Sequence, residues 1–149
     1  MKTIGKLVAD REVYYLRGEM TVREAARYMT ERHIGAAAVL DGTRLAGILS
    51  ERDIMGRVVS KELDPDQTKV ADVMTKDMIV VEVGESHDDG IRKMKQGGCR
   101  HLPVIDGERL VGMVSQRDLL QVDLTEKDEE IRWLNAYIHY MPPGQEGTS

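Results

Sequence analysis

The stretch VLDGTRLAGILSERDI, residues 39–54, returns 65 positions later as VIDGERLVGMVSQRDL, residues 104–119. Val39, Asp41, Gly42, Arg44, Leu45, Gly47, Ser50, Arg52 and Asp53 recur unchanged as Val104, Asp106, Gly107, Arg109, Leu110, Gly112, Ser115, Arg117 and Asp118. The ungapped correspondence runs from Val13–Met55 to Met78–Leu120. A match this dense makes the chain two copies of one supersecondary unit. The copies are expected to stack, because neither can build a large core alone.

Each copy has the same order of elements. In the first, residues 13–16 (VYYL) form a short strand candidate, and a helix follows from about Val22 to Arg32. Thr21 is placed to cap that helix, with Glu24 reaching back to complete a capping box. Residues 36–40 and 45–49 read as strands joined by a tight turn at Asp41-Gly42, since glycine adopts positive φ at little cost. A second helix is expected after Ser50. The second copy repeats this as a strand over 78–83, a helix from about His87 to Gln96, strands over 101–105 and 110–114, and a helix from Gln116. Gly90 costs its helix about 1 kcal/mol relative to alanine.

The expected organisation is thus a first unit over 5–60, a polar linker over 61–69 containing Pro65, and a second unit over 70–122 that opens on a short helical turn. A separate amphipathic helix is expected over 125–141, capped by Thr125 and Asp128, and a frayed tail over 142–149. Ile131, Leu134 and Ile138 line one side of this last helix, broadened by Trp133, Tyr137 and Tyr140. That face must be covered by the repeats or by another chain.

Ser50 and Ser115 each stand three residues before an aspartate at a helix start. There the hydroxyl satisfies an orphan N–H, and the acid favours the positive end of the helix dipole. The capping role does not exclude a binding role. Free N–H groups and a hydroxyl at a helix start can receive a phosphate, and a carboxylate one turn on can accept both hydroxyls of a ribose. Arg52 and Arg117 bring positive charge alongside.

The doubled order of helix, strand, DG turn, L-x-G-h-h-S-x-x-D and helix resembles a tandem pair of CBS domains, named after cystathionine beta-synthase. The resemblance covers about residues 5–122 and is better in the second copy. It implies an α+β fold of two beta-alpha-beta-beta-alpha units with pseudo-twofold symmetry, plus the C-terminal helix. It further implies two clefts that receive AMP, ADP, ATP or another adenosyl ligand, NAD(H) and S-adenosylmethionine being less favoured. Assembly into a homodimer and regulation of an unidentified partner protein are implied as well. Carried over by motif, Asp53 and Asp118 would hold riboses, while Ser50, Ser115, Arg52 and Arg117 would lie at the phosphates. Tyr15, Gly35 and Ala37 in one copy, and Val80, Arg100, His101 and Pro103 in the other, would border the adenine slots. His101 replaces Ala36 of the first copy and Val122 replaces Arg57. The second cleft is therefore expected to gain His101 and Arg100, with Arg57 compensating in the first, and the clefts to be unequal.

Other chemistry is poorly supported. Cys99 and His101 have no second close pair to complete a zinc site, and no HExxH, CxxC, EF-hand or P-loop pattern occurs. The serines lack a nucleophile signature, and duplication of S-x-R-D suits two binding clefts better than one active site. No catalytic residue, metal or catalytic cofactor is expected. The formal charge of -5, with dispersed basic residues and few aromatics, disfavours nucleic acid. The single cysteine, the lack of an apolar run of about 20 residues and the polar N-terminus lead us to expect a cytoplasmic protein away from the membrane. The competing reading is an interaction or oligomerisation module without ligand, supported by the terminal helix.

Overall fold

The computed structural model describes residues 3–139. Helix α1 (Ile4–Val8) leads into β1 (Tyr15–Arg17), α2 (Val22–Glu31), β2 (Ala36–Asp41), β3 (Arg44–Ser50) and the single turn α3 (Glu51–Asp53), which continues as a π-helical segment, Ile54–Val59. The second half contains α4 (Val70–Val73), β4 (Val81–Glu82), α5 (His87–Gly97), β5 (His101–Asp106), β6 (Arg109–Ser115) and α6 (Gln116–His139). Each half holds a three-stranded sheet whose first pair is parallel and whose second is an antiparallel hairpin. Gly42 and Gly107 close the two hairpins at φ 63° and 64°, and each hairpin carries a bulge at the same repeat position. The result is two beta-alpha-beta-beta-alpha units related by a pseudo-twofold axis, with β3 and β6 in contact.

The expected capping box at Thr21 and Glu24 is present, as is its repeat counterpart at Ser86 and Asp89. His33 ends α2 in the left-handed region at φ 55°, where its counterpart is Gly98 at φ 62°. Several boundaries differ from expectation. Within 78–83 only Val81–Glu82 pairs as a strand, because the next position back on β5 is Pro103, which has no N–H to give the ladder. After Asp53 the helix widens, Ser60 N–H donating to Met55 O and Leu63 N–H to Val58 O. Gly56 and the β-branched pair Val58–Val59 are weak α-helix formers, which favours this departure.

The C-terminal helix does not begin at Thr125. It continues α6 from Gln116, and the Thr125 hydroxyl donates to Gln121 O inside the helix instead of capping a new one. The 122–125 boundary is spanned because the segment contains neither glycine nor proline. The first turns of α6 pack on α5 and β6 through the fully buried Leu119. Farther on, Trp133 is 70% exposed and Tyr137 65%, their rings stacked on each other rather than on the repeats. Tyr140 and the expected tail over 142–149 lie outside the described residues.

The two hydrophobic cores reveal an exchange that the repeat alone conceals. Ile4 and Val8 of α1 are buried in the core of the second unit, with Val81, Leu102, Val104 and Leu119. Val70 and Val73 of α4 are buried in the first, with Leu16, Val22, Val39 and Leu49. The backbone matches: Ile4 N–H donates to Glu85 O and Gly5 N–H to Val83 O, while Val70 N–H donates to Met20 O and Ala71 N–H to Gly18 O. Each unit is therefore completed by the helix that precedes the other in sequence.

The exchange explains two glycines. A Cβ on Gly90 would lie 2.8 Å from Ile4 Cδ1 and 2.9 Å from Leu119 Cδ1, so the glycine admits α1 and α6 to the α5 surface. A Cβ on Gly47 would lie 2.9 Å from Thr75 O and 2.7 Å from Met74 Sδ, where the chain leaving α4 pairs with β3 through mutual Ile48–Thr75 hydrogen bonds. Because a backbone oxygen is among these contacts, Gly47→Ala is expected to destabilise the protein by about 1–3 kcal/mol. Urea unfolding would measure it, and an unchanged midpoint would contradict this packing.

Candidate ligand clefts

Two clefts open where the units meet. The first, of about 250 Å³, is bordered by Gly35, Ser50, Glu51, Arg52 and Asp53 of one unit and by Met78, Ile79, Arg100, His101 and Pro103 of the other. The second, of about 460 Å³, joins Ser115 and Asp118 to Arg11, Tyr14, His33, Gly35 and Ala36. Each cleft thus combines the S-x-x-D helix start of one unit with the turn before the second strand of its partner. Contact between β3 and β6 makes this crossing unavoidable: the helix that follows one strand starts against the opposite unit.

Both helix starts are capped as the sequence predicts. Ser50 N–H donates to Asp53 Oδ2 at 2.9 Å, and Asp53 N–H donates to Ser50 Oγ at 3.2 Å. The equivalent distances at Ser115 and Asp118 are 2.9 and 3.1 Å. The remaining contacts differ. Asp53 Oδ1 accepts from the Thr75 hydroxyl at 3.1 Å, with Arg57 Nε at 3.8 Å. Asp118 is held by a guanidinium, Arg11 donating through Nη1 to Oδ2 at 2.9 Å and through Nη2 to Oδ1 at 3.2 Å. Burial raises the Asp118 carboxyl, but the Arg11 and Ser115 hydrogen bonds outweigh it and leave the group below its ordinary range.

The structure brings Ser50, Arg52, Asp53, Gly35, Arg100, His101 and Pro103 together at the first cleft, and Ser115, Asp118, Gly35 and His101 at the second. His101 and Gly35 border both. Arg100 sides with Asp53, not with Asp118 as the expected asymmetry had it, again because the clefts are built across the two units. Burial lowers the imidazole of His101, opposed by Glu51 and Asp118 and assisted by Arg100. Tyr15, Ala37, Val80, Arg57 and Arg117 border neither cleft. Ala37 is buried in β2, Tyr15 lies under Arg17, and Arg57 donates to the carbonyls of Val73 and Met74, clamping the end of α4. Arg11, Glu51 and Thr75 went unrecognised as cleft residues. Glu51 alone had a local signal, as the first residue of the helix after Ser50.

The CBS domain family pattern matches residues 4–60 and 70–125, the two halves whose helix starts form these clefts. The chain belongs to the CBS-domain family. Its similarity to the mitochondrial CBS domain-containing protein CBSX3 of Arabidopsis thaliana is 34% identity over 93% of this chain and 69% of that one. A protein with CBS domains from Burkholderia ambifaria is 33% identical, its structure superposing with a TM-score of 0.79 over 83% of this chain and 95% of its own. The CBS domain protein PAE2072 of Pyrobaculum aerophilum, whose structure is a complex with AMP, is 28% identical, with a TM-score of 0.72 over 78% of this chain and 88% of its own. A tandem CBS pair is a regulatory, ligand-binding module and not an enzyme. Among the described residues no helix is long and apolar enough to cross a membrane, and no group of three or more His, Cys, Asp or Glu residues is arranged to hold a metal ion.

Proposed function

We propose that this CBS pair is a sensor that binds adenine ribonucleotides, AMP, ADP or ATP, in its two crossed clefts and passes their occupancy to a partner protein. The observation that carries the reading is the pairing, in each cleft, of a capped helix start and carboxylate from one unit with the segment before the second strand of the other. The carboxylate suits a ribose diol, and the helix start, with Arg52 and Arg100 at the first cleft, suits a phosphate. The AMP-bound relative from Pyrobaculum aerophilum supports this ligand class. A ligand touching both units favours one inter-unit geometry over others, and a partner that reads that geometry feels the ligand as a shift in population.

The working assembly in this reading is a homodimer in the cytoplasm. Met55 and Val59 are exposed on the first unit, and their repeat counterparts Leu120 and Leu124 are exposed on the second. Two apolar patches related by the internal pseudo-twofold suit a second copy of the chain. The same patches, extended along α6 by Ile131, Leu134 and Ile138, favour the alternative of an interaction module without ligand. Native mass spectrometry, supported by thermal shifts with AMP, ATP, NADH and S-adenosylmethionine, separates the readings. The sensor retains an adenine nucleotide and is stabilised most by AMP or ATP, whereas a ligand-free module shows only a change of subunit number.

The lowered His101 gives this reading a pH dependence. The group is neutral at neutral pH, and a phosphate beside it raises its proton affinity, so the bound state carries more protons than the free one. AMP binding is therefore expected to tighten as pH falls from about 8 to about 6, and His101→Gln to flatten that profile. A flat wild-type profile would exclude His101 from the phosphate subsite.

A further inference from the structure

Both oxygens of Asp118 are engaged by Arg11 in a two-pronged ion pair, at 2.9 and 3.2 Å. One of them also accepts the Ser115 N–H. The matching carboxylate of the first cleft, Asp53, meets only the neutral Thr75 hydroxyl within hydrogen-bonding distance on its free side. We propose that Arg11 determines the ligand class of the second cleft, barring a neutral ribonucleoside from Asp118 and admitting a ribonucleotide whose phosphate takes over its charge. The inference rests on the nucleotide reading given above.

A ribose diol approaching Asp118 has to displace the guanidinium fork, exchanging a bidentate ion pair in which both partners are charged for hydrogen bonds in which only the carboxylate is. A nucleoside offers the displaced arginine nothing. A 5′-phosphate offers it a second bidentate acceptor in the same cleft, so the ion pair is transferred instead of lost. Arg11 is free to make the exchange: it lies in the irregular segment between α1 and β1, and its side chain is 43% exposed. Besides Asp118, the other charged or titratable side chains bordering this cleft are Glu12, Tyr14, His33 and His101, so among the described residues Arg11 is its only arginine or lysine.

Two methionines allow the clefts to be followed separately, Met78 bordering the first and Met113 the second. The protein labelled with 13C at the methionine methyls is titrated with AMP and with adenosine, as the wild type and as Arg11→Gln. In the wild type the Met113 methyl is expected to report AMP binding at least about tenfold tighter than adenosine. In Arg11→Gln, adenosine tightens and AMP weakens at Met113, so that the preference shrinks about tenfold, while the preference at Met78 stays within about threefold of its wild-type value. A Met113 preference unaltered by the substitution overturns the inference, as does wild-type adenosine binding equal to that of AMP, even with nucleotide binding intact. Failure of both ligands to move either methyl removes the nucleotide reading itself. Should Arg11→Gln not fold, Arg11→Lys keeps the charge without the fork. Adenosine is then expected to gain at Met113 by a smaller factor, and no gain overturns the proposal.

Discussion

Replacing Asp53 by alanine is expected to disable the first cleft and to weaken the fold together. The carboxylate is buried, receives the Ser50 N–H and the Thr75 hydroxyl, and sits at the start of the helix that follows β3. Its loss removes half of a capping box, worth about 1 kcal/mol, and leaves two donors unsatisfied at about 1–3 kcal/mol each if they stay dry. Water entering the widened cleft recovers part of this, so a net loss of about 2–3 kcal/mol is expected in urea unfolding. The same carboxylate would accept both ribose hydroxyls. Two hydrogen bonds to a charged group make its removal worth about a hundredfold in AMP affinity at this cleft. Asp53→Asn, which keeps one acceptor oxygen, should fall between the two. A folded Asp53→Ala protein that binds AMP as tightly as the wild type would remove the ribose from this position.

Ile4→Ala is the second large effect. Ile4 is fully buried and packs beside Gly90 and Leu119. Truncating such a side chain costs about 2–5 kcal/mol, because the cavity collapses only partly. The location of the damage is more telling than its size. With α1 exchanged between units, hydrogen exchange should accelerate first in β4, β5 and β6, although the substitution lies far from them in sequence. Preferential loss of protection in β1, β2 and β3 would mean that α1 packs on its own unit.

The local chemistry of this fold is readable from short patterns, because it depends on neighbours in the chain. Thr21 with Glu24, Ser50 with Asp53 and the two Asp-Gly turns all act within a few residues, and each takes the geometry its sequence predicts. The exchange of α1 and α4 had no such signature. Their hydrogen bonds match at an offset of 66, Ile4 with Val70, while the strands match at 65, so one residue in the connecting segments hides the correspondence. Gly90 was legible as a cost to its helix, but not as the space that Ile4 and Leu119 occupy.

The clefts were legible by half. The capping residues that double as binding candidates lie in the repeated motif, whereas their opposing walls come from the other unit. Assigning Arg100 to Asp118 followed sequence proximity, and the packing of β3 on β6 placed it with Asp53. Arg11 stands 107 residues from Asp118 in a segment without periodicity, so nothing local marked the contact. That contact, set against the Thr75 hydroxyl and the more distant Arg57 at Asp53, makes the two identically capped carboxylates chemically unlike.

Two unequal nucleotide clefts built across the units are the core of this account, and isothermal titration of AMP into the wild-type protein addresses them together. The expected isotherm has two binding steps per chain, with affinities separated by about tenfold or more, because Asp118 must release the two-pronged Arg11 pair, whereas Asp53 releases the Thr75 hydroxyl and the longer 3.8 Å approach of Arg57. Two indistinguishable sites would contradict the inequality, and the absence of any binding heat at millimolar AMP, with no thermal stabilisation, would contradict the nucleotide reading as a whole.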